Sequence, residues 1–204
     1  MFLAKKIKRA FNRNEFCGAI IYGVQGVGKS SYALRVAKEV YDSWEKALNM
    51  CFFDIREFIS FLEENERTPV AIIDDAGVWL SKYLFFRNVH YVDYITGLIH
   101  VIRTKLSGLL LTTPDPQALL KSIRALDFYY VKIIRKNETQ RYAKIYSQAV
   151  LPSGHRYVIL KKMELFNVML PDDIYEKYLQ KRQKYIDTIL PMLKEYVNMM
   201  VGEK

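Results

Sequence analysis

The stretch Gly23-Val24-Gln25-Gly26-Val27-Gly28-Lys29-Ser30 constrains this chain more than any other. A glycine, four residues and then Gly-Lys-Ser is the spacing of a phosphate-binding loop. Glycines let backbone N–H groups turn inward around phosphate oxygens. Lys29 stands where an ammonium reaches β- and γ-phosphates, and the Ser30 hydroxyl stands where it holds Mg²⁺. Ala19 to Tyr22 reads as a buried strand and Ser31 to Val40 as a helix, whose positive end faces the anion. Gly23 to Ser31 is therefore the expected ATP-binding segment. A plain glycine turn is the bland alternative, but it has no use for Lys-Ser at that spacing.

A phosphate loop needs a carboxylate partner for its metal. Pro69-Val70-Ala71-Ile72-Ile73-Asp74-Asp75 supplies one, an apolar strand ending in two acids, the Walker B arrangement. Asp74 is expected to hold Mg²⁺, through water because this ion keeps much of its hydration shell. Asp75 is placed to orient and activate the attacking water. Gly108 to Thr113 is a further buried strand, and its terminal Thr112 and Thr113 are candidates to sense the γ-phosphate. No Asn-Lys-x-Asp motif reads a guanine base. The clustered lid arginines of a small-molecule kinase are not evident either.

The remaining patterns place these motifs on elements. Residues 2–13 form a basic amphipathic arm that would bind DNA, lie on an anionic membrane, or pack on the body with its charges solvated. Leu48–Phe53 is expected as a second strand, followed by a helix capped at Asp54 with Glu57 three residues on. A long helix covers about Val89–Leu106 and carries Arg103. Asp115 caps a helix that runs to about Ala125 and carries Arg124. Three strands follow, Asp127–Arg135, Arg141–Val150 and Arg156–Phe166. Their Lys132, Arg135, Arg141, Lys144, Arg156, Lys161 and Lys162 interleave with Tyr130, Tyr142, Tyr146 and Tyr157. That mixture suits a nucleic-acid surface. It also suits a sheet with one solvated face, which is the commoner case. Pro171-Asp172-Asp173 opens a C-terminal helical segment that Pro191 should bend or split.

The expected fold is α/β: a P-loop NTPase with a mainly parallel central sheet flanked by helices, an antiparallel strand extension and a C-terminal helical segment. No linker or repeat divides residues 1–204, so one ATPase domain is expected. It comprises a basic arm (1–14), a nucleotide-binding core (15–135), the antiparallel extension (136–170) and the helical segment (171–204). The net charge of +9 favours an anionic partner. No apolar run is long enough for a transmembrane helix, and the basic start lacks the apolar centre and cleavage site of a signal peptide. Cys17 and Cys51 read as small buried hydrophobes in a reducing compartment. His90, His100 and His155 are too scattered for a zinc site.

The order of phosphate loop, Ile72-Ile73-Asp74-Asp75, a helix with Arg103, Leu109-Leu110-Leu111-Thr112-Thr113 and Leu119-Leu120-Lys121-Ser122-Ile123-Arg124 resembles a known family. It is similar to the genome-packaging ATPases of membrane-containing icosahedral DNA viruses, including archaeal turreted ones, within the FtsK–HerA group of ring-forming DNA translocases. The resemblance covers roughly Ala19 to Tyr130. It implies an ATP- and Mg²⁺-dependent motor that moves double-stranded DNA, largely without sequence preference, into a capsid. It implies a homo-oligomeric ring, a hexamer, in contact with a capsid or inner membrane and located in host cytoplasm or virion. A neighbouring subunit would donate an arginine finger, with Arg103 the first candidate, Arg124 the second and Arg87 behind them. Any one of these is equally read as a surface salt-bridge arginine. Two departures stand out. Thr113 occupies the place of a glutamine that positions water, and Asp75 replaces a longer glutamate. A replication ATPase of the AAA-like type, acting as helicase loader or initiator, would share this site. So would a nucleotide-gated adaptor without turnover.

Overall fold

The computed structural model describes residues 1–82, 89–150, 153 and 156–202. Seven strands among them make one sheet: β1 (Cys17–Tyr22), β2 (Cys51–Phe52), β3 (Ala71–Ile73), β4 (Gly108–Thr113), β5 (Tyr129–Arg135), β6 (Gln140–Val150) and β7 (Arg156–Asn167). Their order across the sheet is β2-β3-β4-β1-β5-β6-β7. The first five run parallel, and β6 and β7 are added antiparallel. This is the expected P-loop NTPase class with its antiparallel extension.

β1 and β4 read as unbroken apolar runs because both faces of a parallel sheet are covered. On one face, α4 (Ile55–Glu64), α5 (Val89–Val101) and α6 (Lys121–Ala125) bring Phe58, Leu62, Ile95, Ile99 and Ile123 onto Ile20, Ile73, Leu109 and Leu111. On the other lie α1 (Phe2–Asn12), α2 (Lys29–Tyr41) and α3 (Trp44–Asn49). α1 takes the third of its three readings in part: Leu3, Ala4, Ile7 and Ala10 are buried while Lys5, Lys8 and Arg9 stay exposed. Gly108 at the start of β4 admits the Ile7 side chain, since a Cβ there would fall 2.9 Å from Ile7 Cγ2. Both cysteines are buried and free, and burial pushes the Cys17 thiol up to about 12.

Several elements differ from expectation. The second strand shrinks to Cys51–Phe52 because Ser43 caps α3, accepting from the Lys46 N–H at 3.3 Å, and helix runs through Asn49. The long helix stops at Val101, and Arg103 lies in a 3₁₀ turn, Ile102–Thr104, of the tighter kind that often ends a helix. The segment after Asp115 splits. Asp115 caps a 3₁₀ turn, Pro116–Ala118, and helix resumes only at Lys121. Arg87 and most of the Pro152-Ser153-Gly154 turn lie outside the described residues.

The chain forms two compact units, Met1–Met169 and Leu170–Lys204. The second holds α7 (Asp172–Gly202), one helix that runs through Pro191 without splitting. No helix among the described residues is long and apolar enough to cross a membrane.

Candidate nucleotide-binding site

The phosphate loop leaves the carboxyl end of β1 and enters α2 at Lys29. Two of its glycines are required by geometry. Gly23 has φ +146° and a Cβ there would meet the Ile133 carbonyl oxygen at 2.8 Å. Gly28 has φ +99° and a Cβ would fall 2.5 Å from Val168 Cγ2. Val24, Gln25 and Gly26 form the exposed crest of the loop, with Val27 buried beneath it. Lys29 is buried, and its Nζ donates to the carbonyls of Gly23 and Val24 at 3.1 Å each. The ammonium thus sits over the loop that a phosphate would fill. Ser31 follows Ser30 in the first turn of α2 and is half-buried.

The neighbouring strands bring the acids to this point. β3 ends at Ile73, in parallel register with Leu111 of β4, so Asp74 and Thr112 extend side by side. Ser30 Oγ donates to Asp74 Oδ1 at 2.9 Å, and Thr112 Oγ1 donates to the same oxygen. Asp74 is 1% exposed. Asp75 is partly exposed and takes the left-handed conformation, φ +50°, which side chains other than glycine adopt at a cost. Thr112 holds it there: the Asp75 N–H donates to Thr112 Oγ1 at 2.9 Å and the Ala76 N–H to the Thr112 carbonyl at 2.8 Å. Thr113, buried beside it, donates through Oγ1 to the Asp115 carbonyl at 3.0 Å.

Loop, Lys29, Ser30, Asp74, Asp75, Thr112 and Thr113 are therefore gathered at one end of the sheet. The two arginines are not gathered there in the same way. Arg103 precedes β4 and is exposed at the opposite, amino end of the strands, where its carbonyl accepts from Arg67 Nε. Arg124 is half-buried on α6, its Nε donating to the Leu119 carbonyl and its Nη1 to Gln117 Oε1 at 2.6 Å.

The oxygen pair of Ser30 and Asp74 fits Mg²⁺. This hard ion takes one or two protein oxygens and completes its octahedron with phosphate and water. No group of three or more His, Cys, Asp or Glu able to hold a metal occurs among the described residues.

Arg141 is a contributor that the strand pattern left open between a nucleic-acid surface and a solvated sheet face. It is 3% exposed, and its Nε donates to the Val27 carbonyl of the loop at 3.0 Å. Its Nη1 donates to the carbonyls of Asn137 and Glu138 in the turn before β6 and of Gln140 at the start of that strand. Burial, and then the nearby Arg135, hold its pKa below the usual arginine value. The signal was present in the strand pattern. Arg141 shares its alternation with Ala143 and Ile145, which are apolar and buried.

No protein-family model matches the chain. It is 33% identical over 221 residues to the uncharacterized protein B-251 of Sulfolobus spindle-shape virus 1, covering 97% of this chain and 86% of that protein. It is 35% identical over 157 residues to the uncharacterized protein ORF286 of Acidianus two-tailed virus, covering 74% of this chain and 55% of that protein. Among solved structures, the N-terminal domain of zonular occludens toxin from Neisseria meningitidis aligns over 79% of this chain and 98% of that one, at 11% identity and a TM-score of 0.46. That likeness is too distant to bear on activity.

Proposed function

The chain belongs to the family of protein B-251 of Sulfolobus spindle-shape virus 1, and from that premise we propose that it is an ATP-hydrolysing motor that moves double-stranded viral DNA into a capsid. The observation that carries the ATPase reading is the convergence of Ser30, Asp74 and Thr112 beside the phosphate loop. The motif order from Gly23 to Arg124 and the net charge of +9 support DNA as the track.

Phosphoryl transfer asks for positioning and charge neutralisation more than covalent chemistry. Loop N–H groups from Gly23 to Ser31 would wrap the β- and γ-phosphates. Lys29 Nζ would exchange the Gly23 and Val24 carbonyls for phosphate oxygens. Ser30 and Asp74 would hold Mg²⁺, which supplies positive charge to the phosphate oxygens. Asp75 would orient the attacking water and accept its proton, held in place by Thr112. Thr113 would sense the γ-phosphate from the neighbouring strand. Arg103 or Arg124 would then be a finger for an adjoining subunit of the ring.

The test is ATP turnover by the purified chain with and without duplex DNA. Lys29→Ala is expected to lower turnover about 100-fold or more, and duplex DNA to stimulate the unaltered chain. Turnover that survives Lys29→Ala would place catalysis elsewhere. An active ATPase absent from purified virions and assembling capsids would be a replication enzyme and not a packaging motor.

A further inference from the structure

Beyond β1, the sheet face that α4, α5 and α6 cover elsewhere carries exposed or partly exposed side chains among the described residues. Residues directly paired across antiparallel strands share a face. The register therefore puts Tyr130 beside Tyr146, Lys132 beside Lys144 and Ile134 beside Tyr142 on this face. β7 continues the rows with Leu160 beside Tyr146, Met163 beside Lys144 and Leu165 beside Tyr142. Lys132, Leu160, Met163 and Leu165 are exposed, and Tyr142, Lys144 and Tyr146 are partly exposed. Lys136 Nζ lies 5.6 Å over the Tyr142 ring and adds a third ammonium at the margin.

The chemistry of the face is one-sided. The single acid within β5, β6 and β7 is Glu164. It points to the opposite face, where its carboxylate accepts from the Phe2 N–H and the Tyr32 hydroxyl. Lys132 and Lys144 stand directly opposite one another, a pairing that destabilises a sheet unless an anion relieves it. Flat rings with ammonium groups between them, and no carboxylate, match a strand that presents both phosphates and unstacked bases. A closed duplex keeps its bases stacked and offers no ring faces to Tyr142 and Tyr146.

We propose that this face of β5, β6 and β7 is a docking platform for an unpaired DNA strand, with Tyr142 and Tyr146 stacking on bases and Lys132 and Lys144 on phosphates. Its choice of DNA rests on the motor reading above, and it adds that the motor holds an end or an opened stretch of its substrate. Base stacking on such rings is sequence-tolerant, so the platform takes any sequence with a preference for flexible runs.

The probe is fluorescence anisotropy of a labelled oligo-dT with the full chain, beside a duplex and an RNA of equal length at equal salt. The double variant Tyr142→Ala/Tyr146→Ala is expected to weaken oligo-dT binding about tenfold or more, while Tyr142→Phe/Tyr146→Phe keeps it. Lys132→Gln/Lys144→Gln is expected to flatten the plot of log affinity against log salt by about 0.7 for each phosphate no longer neutralised. Unchanged affinity in the alanine variant would overturn the proposal. So would equal losses in the alanine and phenylalanine variants, which mark a hydroxyl or folding effect. Tighter binding of duplex or RNA would also overturn it, by giving the face another occupant. Turnover separates this proposal from the motor. A chain that binds oligo-dT through these residues but hydrolyses no ATP sinks the motor and keeps the platform. A DNA-stimulated ATPase whose strand binding ignores all three double variants keeps the motor and sinks the platform.

Discussion

Arg141 carries the clearest residue-scale consequence. A guanidinium that is buried at the loop and holds four carbonyls can be truncated only by leaving acceptors unsatisfied. Each such loss costs about 1–3 kcal/mol. Arg141→Met should therefore lower the melting temperature and raise the KM for ATP more than it lowers kcat, because the loop itself loosens at Val27. A variant with unchanged melting temperature and KM would show that Arg141 does not hold the loop. Thr112→Val makes a complementary case. It keeps the shape but removes the one hydroxyl that donates to Asp74 and accepts from the Asp75 N–H. Nucleotide binding should persist while turnover falls, and equal losses in both, read by nucleotide titration and steady-state rate, would count against a role for Thr112 in placing Asp75. The loop and the acid pair were legible because their chemistry demands fixed spacing along the chain. Arg141 was not read as part of the site, because its link to Val27 spans 114 positions and depends on which face of β6 meets the loop.

At the scale of elements, the long parallel strands were readable from apolar runs, and the antiparallel pair from its polar turn at Lys136–Thr139. In two of the segments that differ from expectation, one capping side chain decides the outcome. Ser43 converts Leu48 and Asn49 from strand to helix, and Asp115 closes a 3₁₀ turn where a full helix was expected. Asp54 shows the same physics at α4, accepting from the Arg56 N–H at 2.8 Å while Arg56 also pairs its carboxylate. Burial works to raise this carboxyl, but the hydrogen bonds and charge of Arg56 outweigh it and hold the pKa below 3.8. A carboxyl depressed on folding stabilises the fold above its unfolded value and loses that contribution as the pH falls through the folded one. Asp54→Ala should cost about 1 kcal/mol at neutral pH. The gap between variant and parent melting temperatures should narrow on acidification below about pH 4. A gap that stays constant down to pH 2 would show that the ionised carboxylate is not what caps α4.

At the scale of the whole molecule, the sheet separates the phosphate loop from the first finger candidate. β1 holds Cys17–Tyr22 with the loop at its carboxyl end, whereas Arg103 precedes the amino end of β4, paired there with Cys17. Six strand residues at about 3.3 Å each put roughly 20 Å between the two ends. Arg103 thus has no path to the γ-phosphate of its own subunit, and if it serves catalysis it does so across a head-to-tail interface in a ring. Arg124 is the contrasting case, because its guanidinium is already held by Gln117 and the Leu119 carbonyl. Mixing separates the two. Lys29→Ala and Arg103→Ala chains should each be inactive alone, while random co-assembly should pair an intact loop with an intact finger at roughly a quarter of the interfaces and restore turnover in that proportion. Recovery with Arg124→Ala in place of Arg103→Ala would transfer the role to Arg124. No recovery from either mixture, with co-assembly demonstrated by subunit exchange, would remove both arginines from the active site and leave hydrolysis to the groups around Asp75.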